Sequence, residues 1–164
     1  MSAILTGAEA WNTDFKKARQ EGRSRKMPLL MVFSGSDWCR PCIHLERNVL
    51  NKRSFIAEAS RKYILFKADF PRGRTLGQQL ESQNKSLAGR YSVYSYPTVI
   101  VLDAASGRVL ARETGFPPGI GPQKFLEYFN AKTEKAGKSA QPGQRKTERR
   151  GGDDGNPKSN GTDR

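Results

Sequence analysis

Cys39 and Cys42 are the only cysteines in the 164 residues, and they stand two residues apart just after an apolar run and a turn. The run, Pro28-Leu29-Leu30-Met31-Val32-Phe33, is short and rich in strand formers. It is closed by Ser34-Gly35-Ser36-Asp37, so it reads as a buried strand and its turn. A helix that begins at Cys39 puts both sulfurs on its first turn, close enough to bridge. There Cys39 faces backbone N–H groups that no helical carbonyl can satisfy. Those donors, the partial positive charge of the helix end and the cation of Arg40 favour a thiolate, and predict a Cys39 pKa below the ~8.5 of a free thiol. Pro41 suits this first turn, where a missing N–H costs nothing. Leu45, Val49 and Leu50 keep Cys42 near the buried side of the helix and leave Cys39 as the more exposed sulfur. A strand feeding a CxxC helix is the setting in which such a pair points to redox chemistry.

Downstream lies Tyr96-Pro97-Thr98. Together with Trp38-Cys39-Arg40-Pro41-Cys42, this segment resembles the thioredoxin superfamily, matching its WCxxC helix start and its cis-proline loop in order, over roughly residues 9 to 131. The resemblance implies an α/β fold, a thioredoxin-like three-layer sandwich with helices on both faces of a four-stranded mixed sheet. It implies a thiol-disulfide oxidoreductase in which Cys39 attacks a substrate disulfide and Cys42 resolves the mixed disulfide; in a reducing cytoplasm it would act as a reductase rather than an oxidase. Trp38, Arg40 and Pro41 would tune the pair. Pro97 would be cis and lie against the cysteines, and the backbone of Tyr96 would be presented for strand-like pairing with a substrate peptide. The partners implied are disulfide-containing protein substrates and an upstream thiol reductant, with no cofactor and no metal.

Other uses of the motif compete. A zinc site usually takes four ligands, and Cys39, Cys42 and the single histidine, His44, make three. A purely structural disulfide across two residues would close too small a loop to restrict the unfolded chain much. A thioredoxin-fold domain that only binds partners, a non-catalytic basic interaction module, stays as the alternative. His44 lies about 140° round the helix from Cys39, so it is expected at the surface. Two departures from thioredoxin itself matter. Val32 falls where thioredoxin carries a buried Asp near the resolving cysteine, which predicts slower deprotonation of Cys42. Arg40 replaces a glycine, and a cation beside the thiolate stabilises the reduced form and raises the reduction potential.

The remaining elements follow from periodicity. Thr6-Gly7-Ala8-Glu9 has a capping-box spacing ahead of Trp11, Phe15 and Ala18, which predicts one amphipathic helix bearing all three. Residues 54–63 read as a helix and 63–69 as a strand, with Thr75-Leu76-Gly77-Gln78 as a second capping box. Leu76, Leu80, Leu87, Ala88 and Tyr91 mark a face of the helix that follows. A hairpin is expected from 98–102 and 109–113, then a last helix opening at Pro122. The strand order expected is 63–69, 28–34, 98–102, 109–113.

The chain carries 29 Lys and Arg against 16 Asp and Glu, a net charge of +13. Residues 1–134 hold 21 bases and 12 acids, and 135–164 hold 8 and 4, so the excess is spread along the chain. No helix-turn-helix, zinc-finger or RNA-binding signature accompanies it, so specific nucleic-acid binding is not expected. After Lys132 the apolar pattern stops, which predicts a thioredoxin-like domain over 1–134 and a disordered basic tail over 135–164. No stretch approaches the ~20 apolar residues of a transmembrane segment. The start has neither a basic leader nor a long apolar segment, which predicts a cytoplasmic location; the alternative is periplasmic or exported, after trimming of a leader.

Overall fold

A computed structural model describes residues 10–139. Four strands, β1 (Leu29–Ser34), β2 (Ile64–Asp69), β3 (Thr98–Leu102) and β4 (Val109–Thr114), form one sheet in the order β2-β1-β3-β4. That is the expected order. β1 pairs with β2 in parallel, in the register Val32 to Lys67, and with β3 antiparallel, in the register Val32 to Val99. Every residue of β1 is buried, because helices cover both faces of the sheet and a central strand then has no solvent side.

The two faces carry separate cores. Leu30, Val32, Leu65, Val99, Val101 and Ala111 look one way. Against them pack α2 (Arg40–Leu45) with its π-helical continuation over Glu46–Leu50, α3 (Arg53–Ala59) and α5 (Pro122–Ser139). Leu29, Met31, Phe33, Phe66, Ile100 and Leu102 look the other way, onto α1 (Phe15–Arg25) and α4 (Gln78–Arg90). This is the three-layer sandwich that the strand and helix pattern requires.

Three boundaries differ from expectation. The first helix begins at Phe15, capped by the Asp14 carboxylate, which accepts from the Lys17 N–H at 3.0 Å. Trp11 is therefore not on that helix. Asn12 bridges in parallel to the outer edge of β2, donating its N–H to Leu65 O and accepting from Lys67 N–H, both at 2.9 Å. Trp11 is thereby sent to the opposite face from Ala18, where it stacks on Phe55 with ring centroids 6.4 Å apart. Thr6–Glu9 lies outside the described residues. At α4 the N-cap is Gly77, with φ at +90°, in place of a Thr75 capping box, and the Glu81 carboxylate accepts from the Leu76 N–H. On the same helix Asn84 is buried alongside Leu87, its Nδ2 donating to Asp69 O at 2.9 Å.

The third difference is at α5, which runs through Ser139 and so crosses the 134/135 boundary drawn from the apolar pattern. Extending a helix adds one bond per residue fixed, so it outlasts its apolar stripe, and here Arg108 also reaches the Ala136 carbonyl at 3.4 Å. The rest of the expected tail, 140–164, is outside the described residues.

Gly22 shows how closely α1 sits. A Cβ there would come within 2.8 Å of Ala104 Cβ, Leu29 Cδ1 and the Met27 carbonyl oxygen. Alanine is preferred to glycine in a helix by ~1 kcal/mol, but overpacking against a backbone oxygen costs about 1–3 kcal/mol, so the clash wins. Gly22→Ala should lower the urea midpoint, by a net loss of up to about 2 kcal/mol. A raised midpoint would show that α1 shifts freely on the sheet.

Candidate active site

β1 ends at Ser34, whose carbonyl accepts from the Phe70 N–H at 2.8 Å, and the chain turns through Gly35–Asp37 into α2. Cys39 is the N-cap of that helix, not its first residue, with extended backbone at φ −87°. The Cys42 N–H donates to Cys39 Sγ at 3.3 Å, so a donor left free at the helix start is aimed at this sulfur, as anticipated. The two cysteines form a disulfide with Cα atoms 5.2 Å apart. Cys39 is 7% exposed and Cys42 wholly buried, with the Gly35 N–H 3.5 Å from Cys42 Sγ. An incoming nucleophile or disulfide therefore reaches the site through Cys39.

Tyr96 and Pro97 close over the pair. The Tyr96–Pro97 bond is cis, and the Tyr96 carbonyl oxygen lies 3.7 Å from Cys39 Sγ. Among the described residues, neither the Tyr96 N–H nor its carbonyl makes a backbone hydrogen bond. The loop is fixed from behind. Thr98 Oγ1 donates to Ser95 O at 2.7 Å, and the Gly115 N–H donates to Pro97 O at 2.9 Å. Arg112 on β4 clamps the carbonyls of Tyr91 and Ser92, where α4 ends and a helix leaves acceptors unpaired.

Trp38 is held on all sides. Its Nε1 donates to Phe70 O at 2.7 Å, and its ring meets Tyr96 edge-on at 6.0 Å. Phe70 in turn lies 5.0 Å from Tyr96. A Cβ on Gly35 would fall 2.5 Å from the indole, so only glycine leaves room for it. The Arg72 guanidinium sits 3.7 Å from the Trp38 ring centroid, within range of a cation–π interaction. Asp37 ties down the loop that delivers Arg72, accepting from the N–H groups of Arg72 at 3.0 Å and Gly73 at 2.7 Å. Those two hydrogen bonds hold its carboxyl below the usual carboxylate range. Burial pushes the Tyr96 phenol up.

The structure brings Trp38, Cys39, Cys42, Tyr96 and Pro97 together at one place. Arg40 and Pro41 open α2 and are exposed. His44 is exposed, as expected. No group of three or more His, Cys, Asp or Glu converges to hold a metal among the described residues.

Glu46, Phe70, Arg72 and Asp37 were missed. Val32 leaves no carboxylate on β1, and Glu46 opens the π-helical continuation of α2 four residues after Cys42. Glu46 accepts from Ser34 Oγ at 3.2 Å and pairs with Lys67 at 3.0 Å, and Lys67 is the register partner of Val32. The signal lay in an unclaimed Glu four residues after Cys42, on its side of the helix.

The sequence model of the thioredoxin-like family matches residues 10–104, which contain both cysteines and the cis-proline loop. The chain belongs to the thioredoxin-like family. The disulfide bond reductase DsbH of Chlamydia pneumoniae is 30% identical to this thioredoxin-like chain over 107 residues, 65% of this chain and 63% of that protein. The thioredoxin-related protein DsbJ of the same organism is 29% identical over 92 residues, 56% of this chain and 26% of that one. The match thus spans less than two thirds of either relative. Among solved structures, a DsbH oxidoreductase superposes with a TM-score of 0.69 at 24% identity, covering 76% of this chain and 83% of the other. A thioredoxin from Thermus thermophilus gives 0.57 at 18%, covering 79% and 90%. At these identities the superpositions establish the shared thioredoxin fold.

Proposed function

We propose that this thioredoxin-like domain is a thiol-disulfide oxidoreductase that works as a reductase on protein disulfides. The observation that carries the reading is the bridged Cys39–Cys42 pair at the start of α2, with Cys39 slightly exposed beside a cis-proline loop and Cys42 wholly buried. In the dithiol form, the Cys39 thiolate attacks one sulfur of a substrate disulfide. A Cys39–substrate bond forms, the substrate S–S bond breaks, and the leaving sulfur departs as a thiolate that takes up a proton. Cys42, having lost its proton, attacks Cys39 Sγ and expels the second substrate sulfur. Two electrons have passed to the substrate and the Cys39–Cys42 disulfide is restored. A dithiol reductant then regenerates the pair.

The reductase direction is supported by the likeness to the disulfide bond reductase DsbH of Chlamydia pneumoniae. Tyr96, with its backbone groups unpaired next to Cys39, is the pairing strand offered to the substrate. The same relative counts against the cytoplasmic location expected from the N-terminal residues. A disulfide bond reductase meets stable client disulfides in an oxidising compartment, so we place the domain with the alternative, periplasmic or exported. No described helix is long and apolar enough to cross a membrane.

Insulin reduction by dithiothreitol tests the activity. The wild-type protein should accelerate precipitation of the insulin B chain, and the Cys39→Ser/Cys42→Ser double variant should give the uncatalysed rate. Equal rates would leave the non-catalytic basic interaction module in its place.

A further inference from the structure

The carboxylates around the active face, Asp37, Asp69 and Glu46, are all committed, and three of its cations are not. Asp37 is taken up by the N–H groups of Arg72 and Gly73. Asp69 accepts from the N–H and hydroxyl of Ser36 at 3.0 and 2.6 Å and pairs with Arg74 at 2.7 Å. Glu46 is held by Lys67 and Ser34. By contrast, Arg40, Arg47 and Arg72 make no ion pair among the described residues. They are not scattered. Arg40 is covalently next to Cys39, and Arg47, seven residues on, returns to the same side of the helix. The two, with His44, line one depression of about 360 Å³ on that flank. The Arg72 guanidinium is parked over Trp38, the residue before Cys39. Both chain neighbours of Cys39 thus bring an unpaired guanidinium, Arg40 directly and Trp38 through Arg72.

We propose that this rim selects substrates whose reactive cystine is flanked by acidic residues. The inference rests on the reductase reading and adds the substrate class to it. A peptide laid against Tyr96 carries its cystine to Cys39, and its neighbouring side chains then fall on the Arg40 side and the Arg72 side. Guanidinium groups suit this use because they bind carboxylates in a planar, two-point fashion and are weakly hydrated. The rim side chains are exposed or half-exposed, so the attraction is modest, weakens with salt and acts on encounter as much as on affinity.

The test uses the full chain and three cystine peptides identical except for the residues flanking the cystine: Asp and Glu, Ser, or Lys. At low ionic strength kcat/KM should fall in that order, with about a tenfold span between the acidic and the Lys peptide. The span should shrink to about twofold in 1 M NaCl, where the screening length is only ~3 Å. Arg40→Gln and Arg72→Gln should each compress the acidic-to-Lys ratio severalfold, whereas Arg40→Lys should retain most of it. Because the readout is a ratio between substrates, a change in the cysteines' own reactivity cancels. Lys62→Gln, an exposed position just before β2 at the opposite end of the sheet, should leave the ratio unchanged. Equal kcat/KM for the three peptides overturns the inference, as does a ratio that falls equally in Lys62→Gln, which would assign it to net charge. No turnover of any peptide overturns the reductase reading itself.

Discussion

With Cys42 replaced by serine, the protein is expected to accumulate mixed disulfides with client proteins and to lose catalytic turnover. The expectation follows from the placement of the two sulfurs. Cys39 Sγ is the one in reach of solvent and receives the Cys42 N–H at the head of α2, so it keeps its power to attack when its partner is gone. Nothing then resolves the adduct, since Cys39 and Cys42 are the chain's only cysteines. The adducts should appear as bands of raised mass on a non-reducing gel and vanish with dithiothreitol. Cys39→Ser should form none, because the remaining sulfur is wholly buried. Alkylation of the reduced wild-type protein by iodoacetamide should follow a Cys39 titration below that of a free thiol. Trapping by Cys39→Ser in place of Cys42→Ser would reverse the assignment of attacking and resolving sulfurs.

The largest stability change should come from Phe125→Ala. Phe125 is fully buried on α5, with ring centroids 5.7 Å from Phe55, 4.9 Å from Phe116 and 5.0 Å from Phe129. It is the ring shared by α3, α5 and the segment after β4, so its loss opens a void that none of the three can fill alone. A Phe to Ala change at such a site costs about 3–5 kcal/mol, a large part of the ~5–15 kcal/mol that holds a domain together. The urea midpoint should fall accordingly, and Phe125→Leu, which keeps most of the volume, should cost under half as much. A loss below about 1 kcal/mol for alanine would mean that Phe116 or Phe129 collapses into the space.

Much of this was legible in the chain because the deciding signals are local. β1 and β3 are short apolar runs buried on both sides, and each strand lies close to where its residues placed it. Their order follows from the handedness of one crossover. The CxxC pair and Tyr96-Pro97 are read from neighbours in sequence. What escaped is what only tertiary contact creates. Asp14 outranks the Thr6 spacing as a helix start because the chain before it is drawn to β2 through Asn12, and no periodicity in residues 6–18 reports that. Arg72 and Phe70 read as turn residues until the turn is laid over Trp38. Glu46 pairs with Lys67, the register partner of Val32, a contact between elements that strand positions alone do not report.

A domain that offers free backbone beside a reactive sulfur has to refuse it elsewhere. An open sheet has two outer edges, and each is a template on which a stray extended chain can add itself and grow into an aggregate. Along β2, Asn12 already occupies Leu65 O and the Lys67 N–H, in the middle of the strand. Along β4, a strand of six residues, Arg112 and Glu113 bring opposite charges to adjacent positions, and Glu113 is further engaged by Tyr128 and Lys132 from α5. With both edges guarded in this way, the unpaired backbone of Tyr96 is left as a one-residue landing strip beside the reactive sulfur, long enough to present a cystine and too short to seed a sheet.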